Sequence, residues 1–127
     1  MRVFDASALL AVLGQEPGAD VVSEQLEARD GVVASVNYAE VLTKLIDHGL
    51  DVPTAQLAWR SLGVAVHPVD ERLAAAAALL RPATKALGLS LGDRCCLALA
   101  QQLGNAMVVT ADRPWKALKG FRFTFIR

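Results

Sequence analysis

Cysteine and histidine are scarce in this chain of 127 residues, with two of each. The cysteines, Cys95 and Cys96, are neighbours, and adjacent side chains in a helix diverge, so they favour neither a disulfide nor a shared metal. His48 and His67 are isolated, and neither lies at metal-ligand spacing from another histidine or cysteine. The sequence therefore predicts neither a disulfide framework nor a zinc site.

Long apolar runs are also missing. The longest candidate, residues 73–80, is an alanine-rich helix core, and it falls well short of the roughly 18 residues that span a bilayer. Residues 1–5 carry an early charge at Arg2 and lack the apolar stretch and cleavage site of a secretory signal. We therefore expect a cytoplasmic protein without a membrane segment.

The chain has no net charge, which argues against a general nucleic-acid binder. The charges are unevenly placed, however. Residues 81–127 hold eight basic and two acidic side chains, whereas residues 1–80 hold five basic and eleven acidic ones, giving +6 and −6. Such asymmetry either surrounds an anionic substrate with a basic rim or reflects solvated helix faces.

Hydrophobic residues are abundant, at 54% against 20% charged residues, so residues 1–127 can bury the core of a single domain. Strands are predicted within residues 2–6, ending at Asp5, and over 31–34, 64–66, 106–110 and 122–126. Helices are predicted over 8–14, 17–28, 35–48, 53–62, 70–87 and 92–103. Alternation of helices with short apolar strands is typical of an α/β sandwich, in which helices cover both faces of a parallel sheet.

Three local features of the helices are also predicted. Ser35 is expected to cap the helix over 35–48, and Ser90 is expected to cap the helix over 92–103. Asp93 lies three residues beyond Ser90, as in a capping box. Pro82 is expected to kink or break the long helix over 70–87.

Four acids stand at predicted strand–helix junctions. Asp5 ends the first strand, Asp112 follows the strand over 106–110, Asp93 begins a helix, and Glu40 lies in the first turns of another. Sites in open α/β sheets form at the carboxyl ends of the strands, so these acids can converge on one rim. Taken singly, the last three are also ordinary cap, turn or solvated positions, but a bare acid at the end of a buried strand is costly without a partner.

Clustered carboxylates repel one another, so such a site implies a bound cation that offsets the repulsion. Oxygen ligands alone select a hard cation, Mg²⁺ or Mn²⁺, over zinc. An ion of this kind bridges to phosphate and can activate water. The four acids therefore predict metal-dependent chemistry on a phosphate.

Four short segments, taken in this order and at this spacing, resemble the PIN-domain ribonucleases, and within them the VapC toxins of toxin–antitoxin modules. They are Val-Phe-Asp-Ala-Ser-Ala-Leu-Leu-Ala at 3–11, Ser-Val-Asn-Tyr-Ala-Glu-Val at 35–41, Leu-Ser-Leu-Gly-Asp-Arg at 89–94 and Val-Thr-Ala-Asp-Arg-Pro-Trp at 109–115. The resemblance covers nearly the whole chain and implies a PIN-like three-layer sandwich.

The resemblance also implies a site and an activity. Asp5, Glu40, Asp93 and Asp112 would be the family's acidic quartet, with Asp5 and Asp93 the most direct Mg²⁺ ligands. Small polar residues would support the acids or a metal-bound water, namely Ser7, Thr110 and Asn37, unless they only make capping and turn hydrogen bonds. The implied protein is an endoribonuclease that forms a homodimer and is neutralised by a small antitoxin.

Two other functions fit parts of the sequence. A PIN-like binding module would keep the acids but work mainly through its partner. An aspartyl-phosphate phosphatase would use Asp5 as its nucleophile, but phosphatases of the haloacid-dehalogenase type need a second acid two residues later, where Ser7 stands.

Two further hypotheses concern binding. Arg94 and Arg113 each follow a proposed ligand, so either could reach a substrate phosphate, pair with the acids or lie on the surface. Leu57, Trp59 and Leu62 cannot easily share one buried stripe of a short helix, so at least one is expected to be exposed unless all pack on the neighbouring helix. We expect Trp59 to be the residue of this segment that anchors an antitoxin.

Overall fold

The computed structural model describes residues 1–127. It has five strands: β1 (Arg2–Phe4), β2 (Gly31–Ala34), β3 (Ala65–His67), β4 (Met107–Thr110) and β5 (Arg122–Phe125). It has seven α-helices: α1 (Ala6–Leu13), α2 (Ala19–Leu26), α3 (Ser35–Asp47), α4 (Val52–Arg60), α5 (Glu71–Leu79), α6 (Arg81–Thr84) and α7 (Leu91–Gln102). Two 3₁₀ helices cover Lys85–Leu87 and Arg113–Ala117. None of the helices combines the length and apolar character of a bilayer-spanning segment.

All five strands run parallel in one sheet, in the order β3-β2-β1-β4-β5. The central strand β1 pairs with β2 on one side and with β4 on the other, where Phe4 lies opposite Val109. Every strand therefore ends at the same edge of the sheet, and the segments that follow β1, β2 and β4 begin side by side there. The predicted parallel α/β sheet is confirmed.

Successive residues of each strand face opposite layers of helices. Val3 packs in a core with Leu73 of α5 and Leu97 of α7, whereas the next residue, Phe4, packs in a second core with Leu9 of α1. The second core also includes residues of α2, α3 and α4. Two cores on either side of one sheet make the predicted three-layer sandwich.

The ends of several elements differ from the predictions. Strand β1 ends at Phe4, because Asp5 already accepts a hydrogen bond from the Ala8 amide and begins α1 as its N-cap. The prediction that Ser35 caps a helix is wrong. Ser35 lies inside α3, and its hydroxyl accepts a hydrogen bond from the Val69 amide at 3.0 Å.

Other local predictions are confirmed. The long helix breaks into α5 and α6, with Pro82 in the first turn of α6, where a missing N–H costs least. Ser90 caps α7 in a capping box with Asp93. The cysteines Cys95 and Cys96 are unpaired and buried in the core.

Candidate active site

Asp5 is the most buried of the candidate acids, with 2% of its surface exposed at the end of the central strand. Its Oδ1 accepts hydrogen bonds from the Ser7 hydroxyl at 2.7 Å and the Ala8 amide at 2.9 Å. Its Oδ2 lies 2.9 Å from the same Ser7 hydroxyl and accepts a hydrogen bond from the Thr110 hydroxyl at 2.5 Å. Because Ser7 has one hydroxyl hydrogen, it cannot satisfy both oxygens fully, and one acceptor position stays open.

The same two hydroxyls connect Asp5 to the end of β4. Besides donating to Asp5, Ser7 accepts a hydrogen bond from the Ala111 amide, and Thr110 accepts one from the Asp112 amide, both at 3.0 Å. Asp112 therefore follows β4 in a loop that is fixed relative to Asp5. Serine and threonine suit this task because each can donate and accept at once.

Glu40 reaches the same region from α3, where it lies against the first turn of α7. A Cβ atom added to Gly92 would overlap the Glu40 carboxylate and would move this flexible side chain from its present position. Asn37, one turn before Glu40 and 1% exposed, donates from Nδ2 to the Gly92 carbonyl at 3.1 Å. Its Oδ1 atom is buried without a hydrogen-bond partner. Helices α3 and α7 thus hold Glu40 beside the residue that precedes Asp93.

Asp93 stands at the amino end of α7, where the helix dipole favours a negative charge. Its Oδ2 accepts a hydrogen bond from the Ser90 amide at 2.9 Å, and the Ser90 hydroxyl accepts one from the Asp93 amide at 3.1 Å. This reciprocal pair orients the carboxylate. The capping role and a role in a site are therefore compatible, because the second carboxylate oxygen is not used by the cap.

Burial dominates the electrostatics of Asp5. Loss of water contact raises its pKa from 3.8 to about 6, although hydrogen bonds from Thr110, Ala8 and Ser7 favour the charged form, and the charge of Asp112 raises the pKa further. A carboxyl group with its pKa this close to neutrality carries its negative charge at a substantial free-energy cost. A nearby cation would remove that cost.

The other acids influence one another as well. The pKa values of Glu40 and Asp112 are both raised, mainly by burial and to a smaller extent by the charge of Asp93. Arg127 is the cation that opposes the rise at Asp112. Since Asp93 acts on Glu40 and Asp112, and Asp112 acts on Asp5, the four negative charges share one region at the carboxyl edge of the sheet.

This region fits a hard divalent cation that keeps part of its water shell. No three aspartate, glutamate, histidine or cysteine side chains stand close enough to hold one ion together. None of the four acids forms an ion pair with a lysine or arginine, and Arg127 offsets only part of the charge effect at Asp112. An all-oxygen donor set, with the unpaired Asn37 Oδ1 beside it, suits Mg²⁺, which usually binds one or two carboxylates and several waters.

The two arginines singled out in the sequence each have a protein partner. The Arg94 side chain extends to the neighbouring helix α5, where its Nη1 donates to the Ala77 carbonyl at 3.1 Å. Arg113 is exposed, donates to the Arg127 carbonyl at 3.0 Å and lies over the Phe125 ring at 6.0 Å from its centre. Both guanidinium groups thus have structural partners, and neither forms an ion pair with an acid.

The segment around Trp59 corrects another expectation. Trp59 is 6% exposed and packs edge-to-face on Tyr38, with ring centres 4.7 Å apart, so it belongs to the core and is not available to anchor a partner. Leu62 is also buried. Leu57 is 63% exposed, in agreement with the expectation that at least one of these three side chains is exposed.

Gly92 is the feature of this region that the sequence analysis missed. A glycine in the first turn of a helix lowers helix stability and so needs another reason to be there. The available signal was its place directly before Asp93 in Leu-Gly-Asp. Which acid it would contact could not be read from the sequence, since that contact joins α3 to α7.

Comparison with known proteins agrees with this architecture. No curated protein matches the sequence. Three solved structures share the fold over nearly the full length of both chains, at low sequence identity. They are a toxin–antitoxin complex from Klebsiella pneumoniae (18% identity, TM-score 0.76, covering 100% of this chain and 98% of that chain), VapBC2 from Rickettsia felis bound to a DNA fragment from their promoter (14%, 0.76, 98% and 97%) and FitAcB from Neisseria gonorrhoeae (19%, 0.72, 99% and 98%). The PIN domain family model matches residues 2–120. The protein therefore belongs to the PIN-domain family.

Proposed function

We propose that this chain is a Mg²⁺-dependent endoribonuclease, the toxin of a type II toxin–antitoxin module, with Asp5, Glu40, Asp93 and Asp112 as its catalytic carboxylates. One observation supports the proposal. Four acids from four separate segments lie at the carboxyl edge of a PIN-domain sheet, and none of them forms an ion pair with a lysine or arginine. The charge of Asp93 raises the pKa of Glu40 and Asp112, and the charge of Asp112 raises that of Asp5. Such a cluster is stable at neutral pH when a cation offsets it.

Each residue has a role in this proposal. Asp5 and Asp93 bind Mg²⁺ most directly, and Glu40 and Asp112 bind it as further or water-mediated ligands; Mn²⁺ can replace it. The bound ion supplies positive charge beside a phosphate and lowers the pKa of water. Ser7 and Thr110 support Asp5 by donating hydrogen bonds to its carboxylate. Asn37 supports the site by joining α3 to α7 through the Gly92 carbonyl.

The geometry of Asp5 argues against the phosphatase alternative. An aspartyl nucleophile must present a free oxygen to its substrate. Asp5 is 2% exposed, and both of its oxygens accept hydrogen bonds from hydroxyl groups of the protein.

The proposed partners are RNA, an antitoxin and a second copy of the chain. The structures with the same fold support the second of these, since those proteins were solved as toxin–antitoxin assemblies from Klebsiella pneumoniae and as VapBC2 from Rickettsia felis. For this chain, the homodimer and the antitoxin are inferences from family membership. The alternative, a PIN-like module that binds its partner without significant catalysis, keeps the same fold and acids.

A cleavage assay separates these two functions. Purified protein is incubated with single-stranded RNA in Mg²⁺, in Mn²⁺ and in chelator. We expect cleavage with either ion and none in chelator. Asp93→Asn should reduce the rate by at least about 100-fold, whereas the control Asp47→Asn, an exposed acid at the end of α3, should leave it unchanged. Cleavage that continues in chelator, or that survives in Asp93→Asn, would contradict the proposed site, and a folded protein without activity on any RNA would favour the binding module.

A further inference from the structure

A groove runs between α1 and α3 and opens at the candidate site. It consists of two adjoining cavities of about 320 Å³ each, which share Leu10 and Lys44 as lining residues. One cavity reaches Glu40, and the other reaches Ser7, which contacts Asp5. The α1–α3 groove is therefore continuous with the carboxylates and extends away from them along α3.

The cavity that reaches Ser7 also contains basic side chains. Lys44, His48 and Arg127 line it, with Glu16 as the acid among its lining residues. Glu16 lies 3.5 Å from the Arg127 guanidinium, which balances one of the positive charges. Lys44 forms no ion pair, although an acid stands four residues before it on α3. Its ammonium charge is thus free to meet an anion.

The spacing along α3 suits a chain of phosphates. Glu40, Lys44 and His48 follow one another at intervals of four residues and so lie on one face of the helix, each about 6 Å further along its axis. That interval is close to one nucleotide step of an extended single strand. The His48 Nδ1 atom lies 2.7 Å from the Lys44 carbonyl oxygen, which can only accept, so Nδ1 is the donor of the ring. Because Nε2 of the neutral ring is then an acceptor, Lys44 is the group on this face that can donate to a phosphate.

We propose that the α1–α3 groove binds the backbone of the RNA strand next to the cleaved bond, with the Lys44 ammonium group contacting a phosphate. This inference rests on the proposed function and names the surface that positions its substrate. The arginines predicted from the sequence to bind substrate, Arg94 and Arg113, each donate a hydrogen bond to a backbone carbonyl of the protein. Lys44 lacks such a partner and lies one turn from a candidate catalytic acid.

Binding of a labelled single-stranded RNA of about twelve nucleotides tests the groove without relying on cleavage. Fluorescence anisotropy is measured in chelator over a range of salt concentrations for the wild type, Lys44→Gln, Lys44→Arg and the control Lys85→Gln. Lys85 is also an exposed lysine, but it follows α6 in the opposite helix layer. Each phosphate contact contributes about 0.7 to the slope of log affinity against log salt for a single strand.

Lys44→Gln should weaken binding several-fold and lower this slope by about 0.7, and Lys44→Arg should restore it. Lys85→Gln should match the wild type. Equal slopes for Lys44→Gln, Lys85→Gln and the wild type, or no binding by the wild type, would overturn the groove as the RNA-binding surface. The proposed function is judged separately by Mg²⁺-dependent cleavage. If RNA is cleaved but the salt slope does not depend on Lys44, only the proposal for the groove is wrong. If RNA binding depends on Lys44 but no cleavage occurs, only the proposed ribonuclease activity is wrong.

Discussion

Replacing Asp5 by asparagine removes a buried negative charge while keeping most of its hydrogen bonds. Asparagine is as good an N-cap as aspartate, so the Ala8 amide can still donate to the side chain and α1 keeps its start. The Thr110 hydroxyl, which now donates to Oδ2, can rotate and accept from the new amide group. The main change is therefore the loss of an unfavourable charge in metal-free protein.

The magnitude follows from the pKa of Asp5, which burial raises from 3.8 to about 6. Because the folded pKa lies above the unfolded one, the folded state binds the proton more tightly, and stability falls as the pH rises between these values. Above the folded pKa the ionised group costs about 3 kcal/mol, and the cost falls to about 1 kcal/mol near pH 4.5 and vanishes below the unfolded pKa. Imperfect hydrogen bonding of the amide reduces the net gain, so we expect about 1 to 3 kcal/mol near neutral pH.

Urea unfolding in chelator measures this directly, with the free energy of unfolding of the wild type and of Asp5→Asn compared at neutral and acidic pH. The variant should be more stable at neutral pH, and the difference should shrink as the pH falls. Asp5→Ala is the control, because it removes both the charge and the cap and loses about 1 kcal/mol of helix stabilisation relative to Asp5→Asn. An Asp5→Asn variant that is less stable than the wild type at neutral pH, or a difference independent of pH, would refute the reasoning.

Three further predictions follow from the packing around the site. Gly92→Ala should gain up to about 1 kcal/mol of helix propensity yet lose most cleavage, because the added methyl group displaces the Glu40 carboxylate; activity at the wild-type level, measured beside thermal unfolding, would contradict this. Thr110→Val should lower the free energy of unfolding by about 1 to 3 kcal/mol. It should also move the acidic limb of the pH–rate profile to higher pH, because the buried Asp5 carboxylate loses a hydrogen bond that favours its charged form. An unchanged pH–rate profile would contradict this prediction. Trp59→Ala should destabilise the fold by about 3 to 5 kcal/mol, whereas the exposed Leu57→Ala should change stability by less than about 0.5 kcal/mol; equal urea midpoints for the two variants would show that the assigned burial is wrong.

Periodicity was sufficient to predict most of the fold. Strands β1, β2 and β4 are short apolar segments buried on both faces, as in other parallel sheets, and the helices between them show amphipathic spacing. The predictions failed where a local residue had a tertiary partner. Ser35 reads as a cap, but its hydroxyl accepts a hydrogen bond from the amide of Val69, which is 34 residues away.

The candidate site shows the same division. The four acids could be selected because each follows a strand or begins a helix, and that position depends only on local sequence. The residues that position these acids make hydrogen bonds to distant parts of the sequence. Thr110 donates to Asp5, which is 105 positions away, and Asn37 donates to Gly92, which is 55 positions away. Trp59 was misjudged for a related reason, since helical spacing alone does not reveal that Tyr38 of α3 covers its ring.

Calorimetric titration with Mn²⁺ and Mg²⁺ tests most directly whether the four carboxylates form one metal site. The account predicts that the wild type binds Mn²⁺ at the site and that Mg²⁺ competes for it. Binding should be lost in Asp93→Asn and weakened in Asp112→Asn, with both variants still folded, and retained in the control Asp47→Asn. Binding that is equal in the wild type, Asp93→Asn and Asp112→Asn, or a wild type that binds neither ion, would contradict the central claim.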